Sequence, residues 1–65
     1  MDLIVNGKTM KTGSATIHDL LVELGIDPTH VAVEYNLEIV PWKQQQSVYL
    51  RNGDRIEIVH LVGGG

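Results

Sequence analysis

One stretch of this chain carries a helical stripe, and nearly everything around it is patterned for strands, which leaves few ways to build a core. Ile17, Leu20, Leu21 and Leu24 recur at i, i+3, i+4 and i+7, the spacing that gathers apolar side chains on one helix face. Thr16 precedes them with a hydroxyl for the orphan amides, and Asp19 follows three residues later with a carboxylate, the pattern of a capping box. Gly25 is a natural left-handed stop, and Asp27-Pro28 confirms the break. A lone amphipathic helix must cover its stripe with a sheet. All four stripe residues are therefore expected in the core.

The flanking segments supply that sheet. Leu3-Ile4-Val5 enters Asn6-Gly7, a pair suited to a two-residue type I′ hairpin because both turn positions need φ > 0. Lys8 to Thr12 would return as an edge strand, sparse in apolar residues and protected by Lys8 and Lys11. Val31 to Tyr35 and Glu38-Ile39-Val40 are rich in strand formers, with Asn36-Leu37 as a possible turn between them. Pro41 and the polar run Lys43 to Gln46 mark a connection with room for one short helical turn, and Val48-Tyr49-Leu50 reads as a brief strand. After the turn signal Asn52-Gly53-Asp54, residues 55–61 alternate, so Ile56 and Ile58 share one face while Arg55, Glu57 and Val59 share the other. This most hydrophobic strand is expected at the centre, beside the first. The order predicts an α+β fold, a β-grasp with a mixed four- to five-stranded sheet and one main helix across it. Residues 1–60 form the expected domain and 61–65 a flexible C-terminal functional tail.

Size and composition narrow the function. At 65 residues, a chain has little room for a walled substrate pocket, which typically needs about 300 Å³ or more. The expectation is a protein acted on by enzymes, not an enzyme itself. There is no cysteine, which removes disulfides, thiolate metal sites and cysteine nucleophiles. Any sulfur the chain handles must come from elsewhere. The net charge is -3 and the five basic residues form no run, so the clustered cations that neutralise phosphates in nucleic-acid binding are missing. An acidic surface suits a protein partner with a basic face. Apolar stretches fall far short of the ~20 residues of a membrane span, and Met1-Asp2-Leu3 lacks the basic start of a signal peptide. A cytoplasmic protein that binds neither nucleic acid nor membrane is expected.

The chemistry is expected at the other end, in Leu61-Val62-Gly63-Gly64-Gly65. A terminal α-carboxylate on Gly65, with an intrinsic pKa of about 3.3–3.7, is ionised at neutral pH. It can attack the α-phosphorus of ATP to give an acyl adenylate. Gly63 and Gly64 lack Cβ atoms and can thread a narrow channel into another protein's active site. Ordering three such residues costs about 3–6 kcal/mol. Leu61 and Val62 could each recover about 1.5–3 kcal/mol if buried in a partner groove, so both are candidate partner-binding anchors. The glycines have no following helix, as a phosphate-binding loop requires, so ATP must be bound by the partner and no cofactor by the chain. A glycine-rich end can also be a frayed terminus, but the directly adjoining strand argues for use.

Other features read more plainly. His18, His30 and His60 lie on different elements without metal-ligand spacing, as ordinary surface or helix-terminus histidines do, and no metal site is expected. Trp42 and Tyr49 are read as covering the end of a small core, with a partner-facing patch as the alternative. The acidic residues are scattered and suit a solvated surface.

The segment Asn52 to Gly65, together with Asn6-Gly7, Thr16-Ile17-His18-Asp19-Leu20-Leu21 and Val31-Ala32-Val33-Glu34, resembles the ubiquitin-like sulfur carriers of thiamine biosynthesis, the ThiS family. The similarity spans the whole chain, and the order of these landmarks with the terminal glycines makes it specific. Leu37 and Trp42 depart from the pattern, one standing in a turn that suits a smaller residue and the other directly following Pro41. The resemblance implies that a ThiF-like adenylyltransferase activates Gly65 and that sulfur from a cysteine desulfurase system turns the adenylate into a thiocarboxylate. The thiazole synthase ThiG would receive that sulfur. The alternatives are a carrier for molybdopterin synthesis, a ubiquitin-like modifier, or a non-covalent β-grasp binding module.

Overall fold

Asn6 and Gly7 reverse the chain with φ of 50° and 81°, the pair of left-handed conformations a two-residue type I′ turn demands. They join β1 (Asp2–Val5) to β2 (Lys8–Lys11) in an antiparallel hairpin. The computed structural model describes residues 1–61, and in it β2 is an edge strand, as its thin apolar content predicts.

The helix α1 (Ile17–Glu23) begins where its cap chemistry dictates. The Asp19 amide donates to Thr16 Oγ1 at 3.1 Å, satisfying one of the amides left without a partner in the first turn. Its other end is a Schellman motif: Gly25, at φ 71°, donates to the Val22 carbonyl and Ile26 donates to the Leu21 carbonyl. This ending corrects one expectation. Ile17, Leu20 and Leu21 are fully buried, but Leu24 is the C-terminal cap and 39% exposed. The left-handed turn at Gly25 brings Ile26 onto the core instead.

After a 3₁₀ turn (Pro28–His30) capped by the Asp27 carboxylate, β3 (Val31–Tyr35) and β4 (Glu38–Val40) form a second hairpin. Its turn residues Asn36 and Leu37 have φ of 49° and 75°. This repeats the geometry at Asn6-Gly7, but with a leucine where left-handed backbone costs roughly 1–2 kcal/mol. A second 3₁₀ turn (Trp42–Gln44) fills the connection. Residues 48–50 do not form the brief strand expected of them. Tyr49 makes an isolated bridge to Thr16, in which Ile17 donates to the Val48 carbonyl and Leu50 to the Ala15 carbonyl. The segment thus pairs with the approach to the helix and not with the sheet. Trp42 is 57% exposed and Tyr49 is more so; neither covers the core.

The last strand, β5 (Arg55–His60), lies at the centre of a sheet ordered β2-β1-β5-β3-β4. It runs parallel to β1 and antiparallel to β3, a mixed sheet crossed by one helix, which is the expected β-grasp. Ile56 and Ile58 of β5 meet Leu3, Val31, Val33 and Val40 from the other strands beneath Ile17, Leu20 and Leu21 of the helix, and Leu50 closes the core. Among the described residues, no helix is long and apolar enough to cross a membrane.

Candidate functional site

The geometry around β5 explains how the strand that leads into the tail is held in place. Beyond β1 the parallel ladder continues through a side chain. Asn6 Nδ2 donates to the Ile58 carbonyl at 3.2 Å, and the Ile58 amide donates to Asn6 Oδ1 at 2.7 Å, so the carboxamide stands in for another peptide. The opposite edge has a related device at the other turn, shared between side chain and backbone: the Arg55 amide donates to Asn36 Oδ1 at 2.8 Å while the Asn36 backbone N–H donates to the Arg55 carbonyl. Two left-handed asparagines therefore clamp the central strand from both sides.

The start of β5 is fixed by Asp54. Its carboxylate accepts from the Tyr35 hydroxyl at 2.5 Å, the Arg51 amide at 2.7 Å and Asn36 Nδ2 at 3.1 Å. Partial burial works to raise the pKa of this group, but the bonds from Tyr35, Arg51 and Asn36 outweigh it, and the carboxyl sits below its usual range. The same bond raises the Tyr35 hydroxyl above its ordinary value, with burial adding to the effect.

At the other end, His60 is paired with Val31 and the Leu61 amide donates to the His30 carbonyl at 2.9 Å. The chain is thus tethered to β3 through His60 and to the preceding 3₁₀ turn through Leu61, which is 56% exposed. Val62, Gly63, Gly64 and Gly65 lie outside the described residues. Just before the tether, the exposed Val59 stands opposite the exposed Ala32 on the sheet face turned away from the helix. Next along that face, Glu57 stands directly opposite Glu34, both half-buried. Like charges placed so repel, and a basic side chain from a partner would relieve them.

Sequence reading found the strand, its faces and its place beside β1. It took Asn6 and Asn36 only as turn formers; their clamping bonds depend on which backbone groups lie within reach, which a turn signal does not report. It also left His30 as a surface residue, although its carbonyl holds the root of the tail. The Glu34–Glu57 pairing had no signal, since register across 23 residues of sequence is set by packing.

The ThiS family pattern matches residues 3–65. The chain is 43% identical to the sulfur carrier protein ThiS of Bacillus subtilis, over 97% of this chain and 98% of that one. It is 47% identical, over its whole length, to part of a thiazole synthase from Paramagnetospirillum magneticum, and spans only 20% of that protein. The crystal structure of the thiamine biosynthesis protein ThiS from Geobacter metallireducens superposes with a TM-score of 0.85 at 30% identity, covering all of both chains. With its β-grasp fold, its central last strand and a match that runs through the terminal glycines, the chain belongs to the ThiS family.

Proposed function

We propose that this chain carries sulfur for thiazole formation in thiamine biosynthesis, as a thiocarboxylate on Gly65. The observation that carries the reading is the family match through residue 65; in sequence Leu61 and Val62 separate the glycines from β5, the strand clamped on both edges. A ThiF-like adenylyltransferase binds ATP, and the Gly65 carboxylate displaces pyrophosphate to form the acyl adenylate. The persulfide that a desulfurase system forms from cysteine displaces AMP through its outer sulfur, a thiol reductant cleaves the resulting acyl disulfide to leave the thiocarboxylate, and thiazole synthase accepts the sulfur. The chain itself contributes presentation. Gly63 and Gly64 pass through the enzyme's channel, Leu61 and Val62 offset the ordering cost of the tail, and the Glu34–Glu57 pair meets a basic surface.

The thiazole synthase relative supports the choice of acceptor, since one protein of that name contains a segment related to the whole of this chain. Incubation with ATP, the adenylyltransferase and a sulfur source should raise the intact mass by about 16 Da, the difference between sulfur and oxygen. A chain extended beyond Gly65 should show no gain, because its terminal carboxylate no longer belongs to that glycine. An unchanged mass for the native chain with competent partners would sink the proposal.

A further inference from the structure

Ile26 and Val31 both pack on the core, and the four residues between them cross the surface in the 3₁₀ turn, none of them buried. Polar bonds, not packing, therefore hold this turn. Asp27 Oδ1 accepts from the Thr29 hydroxyl at 2.7 Å and from the Thr29 amide at 2.9 Å, and the Asp27 carbonyl accepts from the His30 amide at 3.0 Å. The two bonds from Thr29, the hydroxyl's first, keep the Asp27 carboxyl below its ordinary range. Pro28 supplies a fixed φ at the first position and has no amide to leave unpaired.

The turn sits where the ladder between β3 and β5 ends. With Val31 facing His60, the register puts His30 opposite Leu61, and only half of that pair is made across the strands. The His30 carbonyl accepts from the Leu61 amide at 2.9 Å, while the His30 amide is committed to the Asp27 carbonyl. The conformation that Asp27 imposes on His30 thus aims the carbonyl that holds Leu61 and withholds the amide that would carry the ladder further. Residues 62–65 follow, and four residues span at most about 14 Å of extended chain.

We infer that Asp27 is a positioning residue for the tail: by capping this turn it holds Leu61 to the sheet, and so sets how much of the chain reaches an activating enzyme already ordered. The inference deepens the carrier reading above and rests on it for its kinetic consequence. A residue held by the fold adds nothing to the ordering cost of binding, whereas each one released weakens productive binding by roughly tenfold.

The test uses the whole chain. Asp27→Ala removes the cap and leaves Ile26 and Val31 to hold the backbone on either side, so the fold persists. Hydrogen exchange should quicken about tenfold at the Leu61 amide relative to the Ile58 amide, which Asn6 holds from the β1 side. In adenylation by the ThiF-like enzyme, the KM for the chain should rise about tenfold with kcat unchanged, because the released residues are ordered on binding and not in the chemical step. Asp27→Asn keeps an acceptor oxygen for Thr29 and should return both values to within about twofold of the native chain. Leu61 exchange that moves only in step with Ile58 overturns the inference. So does a KM unchanged or lowered in Asp27→Ala, or an Asp27→Asn variant as impaired as Asp27→Ala, which would assign the effect to the charge. The mass gain of the native chain is measured alongside. Its absence removes the carrier reading and leaves the exchange ratio to decide what Asp27 holds, whereas a normal gain with native exchange and KM in Asp27→Ala removes only this inference.

Discussion

Asn6 shows how much structural duty one side chain can hold. Its backbone adopts the left-handed turn, its amide donates to the Ile56 carbonyl, and its carboxamide both gives to and takes from Ile58. Alanine would remove two hydrogen bonds worth about 1 kcal/mol each and add the cost of left-handed backbone without a polar side chain. Asn6→Ala is expected to lose about 2–3 kcal/mol of stability in urea denaturation. It should also accelerate hydrogen exchange at the Ile58 amide, because that donor loses its acceptor. Asn6→Asp separates the two halves of the clamp: it keeps an acceptor for Ile58 and loses the donor.

Between elements, the antiparallel pair β3–β5 decides what the open face of the sheet presents. Its register sets Glu34 against Glu57 and Ala32 against Val59, an acidic step beside an apolar one. Glu57→Gln removes the repulsion and should raise stability by about 0.2–1 kcal/mol, with the gain shrinking as salt is added. The urea midpoint measured at low and high salt checks this, and the same variant should dock less well to a basic partner. The elements whose making is local could be read directly. Thr16 with Asp19, Gly25, and Asn6-Gly7 each carry the chemistry of a cap or a turn within a few residues. Leu24 misled because the i+7 position fits a stripe while Gly25 ends the helix one residue too soon to keep it inside. Val48 to Leu50 looked like a strand because their composition says nothing of whether a partner lies in the sheet or at the helix entrance. The tail chemistry, expected from glycine and a carboxylate, falls on residues beyond Leu61, outside those described, while the register and side-chain clamps that brace its root carry no signal in the sequence.

For the whole molecule, Asp54 and Tyr35 couple stability to pH from both sides. Asp54 has a depressed pKa in the fold, so the stability it contributes is present above the unfolded carboxylate value of about 3.9 and is lost as pH falls through the lower folded value. Tyr35 is raised, so its contribution is present below about pH 10 and is lost as pH climbs through the higher folded value. Stability against pH should therefore be a plateau with an acid and an alkaline limb. Tyr35→Phe should flatten the alkaline limb and shift the acid one, as denaturation at a series of pH values would show. The parallel pairing of β1 with β5 bears on a different quantity, force. In the proposed activation, an enzyme that drew the tail inward would pull β5 along its own axis, away from β1. Hydrogen bonds between those strands are then loaded in shear, side by side, instead of being unzipped one after another. Under the proposed activation, the central position of β5 would make the domain a mechanical anchor for the tail, one that stays folded while the tail is pulled.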